Sequence, residues 1–117
     1  MSEEIVFVCK DKDDVVIVCM TEAWRHIANK HRELKELKEL VRAVIEIPDG
    51  ICQSRNFKNR KTLYKECVLP KPIGKAVIRV VVQYNRKRVL WKEGRVITAL
   101  VCNGMQQGEV LLWGKRI

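Results

Sequence analysis

The hydrophobic pattern of this chain changes from a helical to a strand period at the segment that contains Pro48 and Gly50. Before this segment, apolar residues recur at spacings of three and four, which predicts an amphipathic helix that Pro48 and Gly50 end. The helical stripe consists of Leu34, Leu37, Leu40, Val41, Val44 and Ile45. After the change, β-branched runs between basic or Gly/Pro/Asn loops predict strands over residues 51–54, 62–67, 76–84, 94–102 and 109–113.

The segment before the helices has a strand pattern of its own. Residues 4–9 and 15–19 are two β-branched runs joined by a charged loop, which predicts a small hairpin. Thr21 is placed to cap the N-terminus of a first helix that ends near His31. Helices followed by strands with short connections predict one α+β domain over residues 1–117. In it, N-terminal helices pack on an antiparallel sheet of about four to five strands, preceded by the hairpin.

The positive charge of the chain is concentrated in its strand-rich half. Residues 1–50 contain 8 Lys and Arg against 11 Asp and Glu, whereas residues 51–117 contain 15 against 3, so net charges of −3 and +12 make up the total of +9. A basic half of this kind attracts polyanions, and nucleic acid is the polyanion that such a domain meets most often. An acidic protein, a membrane surface or solubility alone would account for the same charge.

The five cysteines are odd in number and include no C-x-x-C pair, and most of them adjoin Val or Ile. This is the pattern of reduced thiols in a core or in strands. With only two histidines, the chain also lacks a set of ligands at the spacing of a zinc site. No leader and no long apolar run are found, so the sequence predicts a cytoplasmic protein without a metal, a cofactor or a membrane partner.

Two histidines are candidates for acid–base chemistry. His26 lies four residues after Glu22 and three before Asn29, so one helical face can present an imidazole flanked by a carboxylate and an amide. His31 is rotated away from His26 on an ideal helix, and the two share a site only if the helix ends between them. The alternative is that both histidines are ordinary surface or core-edge residues.

A basic loop before the second strand of the C-terminal half surrounds one aromatic residue with four cations. Arg55, Lys58, Arg60 and Lys61 would bind phosphates while Phe57 stacks on a base. The alternative is a charged loop in solvent. A second basic loop contains Arg86, Lys87, Arg88, Lys92 and Arg95, which would also protect an exposed hairpin against aggregation.

Three polar residues in the predicted strands complete the candidate site. Strand alternation could aim Tyr64, Arg79 and Thr98 at one face of the sheet. Cross-strand packing is the simpler explanation of the same residues. A metal-free ribonuclease needs a base for the 2′-hydroxyl, an acid for the leaving oxygen and cations for the phosphate, and these residue types supply all three.

Taken in order, several motifs resemble one known family. They are residues 21–27 (Thr-Glu-Ala-Trp-Arg-His-Ile), 31–34 (His-Arg-Glu-Leu), 47–51 (Ile-Pro-Asp-Gly-Ile), 63–64 (Leu-Tyr), 80–82, 96–100 and 108–113. This set resembles the phage-associated barnase–EndoU–colicin–RelE-like nucleases and extends from about residue 15 to the C-terminus. The resemblance implies N-terminal helices against a four-stranded antiparallel sheet, and a metal-independent ribonuclease from a toxin or mobile-element setting.

The resemblance also implies roles for individual residues. His31 matches the histidine of the family's His-Pro-Glu-Leu stretch, and His26 matches the histidine after the tryptophan; both would exchange protons. Tyr64 and Thr98 match a strand tyrosine and a strand threonine that would position the phosphate. The cations that would hold the RNA are Arg55, Lys58, Arg60, Lys61 and Arg79.

The chain departs from the family pattern at three positions, where Arg32 replaces a proline, Arg55 stands where an acidic residue is common, and Leu100 replaces an aromatic residue. The leading hypothesis is an endoribonuclease of the toxin type that cleaves RNA by 2′-hydroxyl attack, with RNA and an acidic antitoxin as partners. Two alternatives remain: a nucleic-acid-binding module without catalysis, and an adaptor for an acidic protein.

Overall fold

A computed structural model describes residues 4–88 and 91–117 of the chain. All seven predicted strand segments form strands, and both predicted helical regions contain a helix. The elements in chain order are β1 (Ile5–Lys10), β2 (Val16–Met20), α1 (Thr21–Lys30), a 3-10 turn (Arg32–Leu34), α2 (Lys38–Glu46), β3 (Gly50–Gln53), β4 (Arg60–Leu69), β5 (Gly74–Arg88), β6 (Trp91–Cys102) and β7 (Val110–Gly114).

The predicted architecture, helices on a sheet of four to five antiparallel strands, is wrong. The strands form one seven-stranded mixed sheet in the order β1-β2-β6-β5-β4-β3-β7, with two short helices. The difference comes from β2, which pairs in parallel with β6 between Val16 and Glu93 and between Val18 and Arg95. The hairpin is therefore part of the sheet. Because this pairing joins segments far apart in the chain, the local alternation of residues gives no sign of it.

α2 is also shorter than the apolar stripe predicts. α2 begins at Lys38 rather than at Leu34, because the chain after His31 first forms a 3-10 turn in which the Leu34 amide donates to the His31 carbonyl at 2.9 Å. Thr21 does not cap α1. It is the first helical residue, and its hydroxyl donates to the Glu4 carbonyl at 2.9 Å, which ties the helix to the start of β1.

The main core lies between the helices and one face of the sheet. From the helices come Ile27, Val41, Val44 and Ile45, and from the strands Leu63, Ile78, Val80 and Val82, all of them fully buried. Gly94 lets β2 lie beside β6, because a Cβ at this position would come within 2.6 Å of the Ile17 Cδ1. A larger residue at position 94 would force the side chains of Ile17 and Val82 to shift in the core.

The two ends of the strand order come together in space. β1 and β7 are the outermost strands, yet the Lys12 Nζ in the β1–β2 loop lies 4.7 Å from the ring centroid of Trp113 in β7. Asp11 holds this loop in place: its carboxylate accepts the amides of Asp13 and Val15 at 2.9 Å and the Tyr84 hydroxyl at 2.8 Å. The sheet is thus curled around its core. Among the described residues, no helix is long and apolar enough to cross a membrane.

Candidate nucleic-acid interface

The sheet has a second face, which points away from α1 and α2 and is called here the open face. Leu63 points toward the helices, so its neighbour Tyr64 points to the open face, where it packs with Cys52 and Val77. The same alternation places Arg79, which pairs with Tyr64, on the open face. The strand register continues the open face across the sheet in the row Arg60, Gln83, Arg95, Val18 and Val8.

Arg60 lies at one end of this row, next to the loop that precedes it in the chain. Its guanidinium carbon lies 4.0 Å from the ring centroid of Phe57, and its Nε donates to the Gln83 Oε1 at 3.1 Å. The Phe57 side chain is 48% exposed. An arginine stacked on an exposed aromatic ring therefore lies on the open face with its orientation fixed by Gln83.

Gln53 in β3 holds the loop in the conformation that brings Phe57 to Arg60. Its side-chain amide donates to the carbonyls of Phe57 and Lys58 at 3.1 Å and of Arg60 at 3.0 Å. Three backbone carbonyls of one loop thus converge on one side chain. These hydrogen bonds fix the conformation of the loop, and with it the position of the Phe57 ring against Arg60.

The other predicted cations are distributed over both sides of the sheet. Arg55 is exposed and donates to the Gln107 carbonyl at 3.1 Å, and Lys58 is exposed in the same loop as Phe57. Lys61 follows Arg60 in β4 and points to the helical side, where its Nζ lies 5.1 Å from the Tyr84 ring centroid. The structure therefore groups Arg55, Lys58 and Arg60 and separates Lys61 from them.

A buried carboxylate, Glu109, organises the next part of the open face. Its side chain is 1% exposed and accepts hydrogen bonds from the hydroxyls of Thr62, at 2.7 Å, and Tyr64, and from the Gln106 amide at 3.1 Å. An Arg79 Nη2 lies 3.5 Å from the carboxylate. Arg79 also donates to the Tyr64 hydroxyl at 3.0 Å and to the Gln106 side chain at 3.2 Å. Arg79 is thus engaged inside the protein rather than presented to a ligand.

The protonation of this cluster follows from its contacts. Burial alone would raise the pKa of Glu109, but the hydrogen bonds from Tyr64, Thr62 and the Gln106 amide, with the charge of Arg79, lower it below the usual 4.5. Burial and the hydrogen bond to Glu109 raise the pKa of Tyr64 to about 12. At neutral pH the cluster contains a carboxylate, a guanidinium and a neutral phenol, and the carboxylate is buried with both oxygens already hydrogen-bonded.

Thr98 lies on the same face but outside this network. It is in register with Val81, and its hydroxyl oxygen is buried with no hydrogen-bond partner among the described residues. Tyr64, Arg79 and Thr98 thus share one face, as strand alternation allowed. Only Tyr64 and Arg79 are in direct contact.

The two histidines lie in the helical layer. Their ring centroids are 6.4 Å apart in a T-shaped arrangement, because α1 ends between them at Lys30. His26 is exposed and His31 half-buried. α1 packs through Ile27 on the helical side of the sheet, so the histidines and the Tyr64–Arg79 pair lie on opposite sides. The structure does not bring His31 to the sheet residues that it was expected to face.

Glu109 is the central residue that the sequence analysis missed, since it was read only as the start of a strand. It is one of three acidic residues in a half with fifteen cations, directly before the apolar run 110–113. An isolated carboxylate in that position is a sign of a buried ion pair. Gln53 and Gln83 were missed because an amide has no charge or period that marks it.

No metal site and no reactive thiol is found in the described part of the chain. No group of three or more His, Cys, Asp or Glu residues there could hold a metal ion. All five cysteines are free, and burial raises the pKa of each of them, to about 11 for Cys9 and about 12 for Cys19, which disfavours the thiolate form at neutral pH. Comparison of the chain with models of known families, with curated proteins and with solved structures gave no match.

Proposed function

We propose that this protein binds single-stranded RNA on the open face of its sheet. The observation that carries the proposal is the Arg60 guanidinium stacked at 4.0 Å on the exposed Phe57 ring and oriented by Gln83. Bases of single strands stack on aromatic rings and on guanidinium planes, and the sheet surface beside the stack gives further bases room to spread.

Charge supports the same surface. Arg55 and Lys58 lie in the loop of Phe57, where they can contact the phosphates on either side of a stacked base. The β5–β6 hairpin extends past Arg60, the first residue of β4, at the same end of the sheet. The +12 charge of residues 51–117 would attract the RNA strand to this end of the sheet.

Binding rather than cleavage is proposed because of where the histidines lie. A general acid or base must come within about 3 Å of the proton that it transfers, directly or through one water. His26 and His31 lie in the helical layer, on the other side of the sheet from Arg60. RNA held on the open face is therefore out of reach of both imidazoles.

The test measures binding of a fluorescent oligouridine of about twelve nucleotides by anisotropy, for the parent, two site variants and one control variant. Phe57→Ala removes the stacking ring and should weaken binding by about tenfold or more. Arg60→Gln should weaken it similarly. Lys61→Gln is the matched control, because it removes the same charge from the next residue on the opposite side and should cost about threefold or less.

Equal losses for Arg60→Gln and Lys61→Gln would show that only net charge attracts RNA, and would contradict the proposed site. Affinity that does not change with salt would contradict nucleic-acid binding altogether. Incubation of the same oligonucleotide with the protein in EDTA separates binding from cleavage. New RNA ends that disappear in a His26→Ala, His31→Ala double variant would restore the ribonuclease hypothesis.

A further inference from the structure

The two edges of the sheet are protected to different degrees. At the β1 edge, α1 and α2 both pack against the strand, and Lys10 places a charge at its end. The β7 edge, Val110–Gly114, has neither a charged residue nor a proline, and no helix packs on it among the described elements. Exposed edges usually carry such features, because unpaired backbone groups recruit other strands.

The outer side of β7 has both the backbone and the side chains that an added strand requires. β7 pairs with β3 alone, and no other backbone hydrogen bond joins Val110–Gly114 to the rest of the described chain. Its apolar side chains are exposed: Val110 by 63%, Leu112 by 49% and Trp113 by 45%. The register shift at this strand leaves Leu112 without a partner on β3.

Cations surround this edge. Arg55 lies at the start of β7, where its side chain contacts Gln107 and Gly108, and Lys12 lies over the Trp113 ring. Lys115 and Arg116 follow the strand and are exposed. Two of these cations are in ion pairs, Lys115 with Glu66 at 3.2 Å and Lys12 with Asp13 at 2.9 Å, and Glu109 is held in its buried cluster. Arg55 and Arg116 are therefore the cations left to select an acidic partner.

We propose that the β7 edge accepts an extended, acidic segment of a partner protein as an added strand. Main-chain hydrogen bonds would give the affinity, Val110 and Leu112 would contact alternate side chains, and the surrounding cations would select acidic residues. A second copy of this chain fits less well. Two β7 strands paired antiparallel would place Lys115 and Arg116 of one copy near Arg55 of the other, in chains that each carry +9.

The probes are synthetic peptides of about eight residues that alternate Val or Thr with Glu. A first control has the same charge with proline at every second position, which prevents strand pairing, and a second has Lys in place of Glu. We expect binding of the acidic peptide alone, measured by anisotropy in moderate salt. Equal binding of the proline-containing peptide would reduce the interaction to charge attraction and overturn the proposal.

Variants locate the site. Leu112→Glu places a like charge on the edge and should weaken binding of the acidic peptide by about tenfold or more. Val68→Glu is the matched control, because Val68 is 74% exposed on β4 beyond the part that pairs with β3. It should leave the affinity unchanged; losses of equal size in the two variants would contradict the assignment to β7.

Hydrogen exchange and sedimentation complete the test. The peptide should slow amide exchange in residues 110–114 of the parent protein, a readout that does not depend on any variant. A concentration-dependent dimer that Leu112→Glu abolishes would replace the acidic partner with a second copy. The proposal does not rest on RNA binding, since Arg60→Gln should bind the peptide as the parent does and Leu112→Glu should still bind oligouridine.

Discussion

The two faces of the sheet are made by the same strands but are held by different interactions. On the helical side, residues such as Leu63 and Ile78 are buried against α1 and α2 by the hydrophobic effect. On the open face, the neighbouring Tyr64 and Arg79 are held by hydrogen bonds and charge around Glu109. On the open face, Phe57 and the cations of its loop stay exposed beside the polar network, whereas the helices bury Leu63 and Ile78 completely.

The largest effect is expected from removing the carboxylate that holds the open face. Glu109→Ala leaves the Arg79 guanidinium and the hydroxyls of Thr62 and Tyr64 without their common partner. Breaking a buried pair from one side costs about 3–5 kcal/mol, and urea unfolding should show a loss in this range. A loss under about 1 kcal/mol would mean that the cluster is dispensable, and that the open face is held by its apolar contacts alone.

Acid should weaken the same face selectively. The folded-state pKa of Glu109 lies below its usual 4.5, so ionised Glu109 contributes stability above the unfolded-state pKa. That contribution is lost as the pH falls through the folded-state pKa. The urea midpoint should therefore fall as the pH drops below about 4.5, and less so in Glu109→Gln.

Leu63→Ala is the control for this pH dependence. It removes a fully buried side chain on the helical face and should lower stability by about 2–5 kcal/mol at every pH. The slope of stability against pH should remain that of the parent. An unchanged slope in Glu109→Gln would assign the acid sensitivity to other carboxylates and weaken the contrast between the faces.

The smallest predicted effect is the difference in stability loss between variants of two threonines on the open face. Thr62 donates to Glu109 at 2.7 Å, so Thr62→Val should cost about 1–3 kcal/mol. The Thr98 hydroxyl is buried with no partner among the described residues, so Thr98→Val should leave stability within about 1 kcal/mol or raise it. A large loss for Thr98→Val would indicate a hydrogen bond that the structure does not include.

The local residue pattern was sufficient to predict those elements whose conformation depends mainly on their own residues. The strands at 51–54, 62–67 and 76–84 follow from β-branched runs, and the end of α1 near His31 follows from the end of its apolar face. The contact between Tyr64 and Arg79 could also be predicted, since strand alternation placed both side chains on one face. The side of the sheet on which the histidines lie could not be predicted, because the period of a strand does not say on which side a helix packs.

The sequence by itself determined the strands, the helical stripe and the concentration of positive charge in residues 51–117, because periodicity and charge are properties of neighbouring residues. Only the tertiary structure decided that β2 joins β6 in parallel and that Glu109 gathers Thr62, Tyr64 and Arg79. It also decided that Arg60 and Lys61, adjacent in the chain, lie on opposite sides of the sheet. These outcomes depend on long-range contacts, whose free energy is set by the burial of whole surfaces and not by any local pattern.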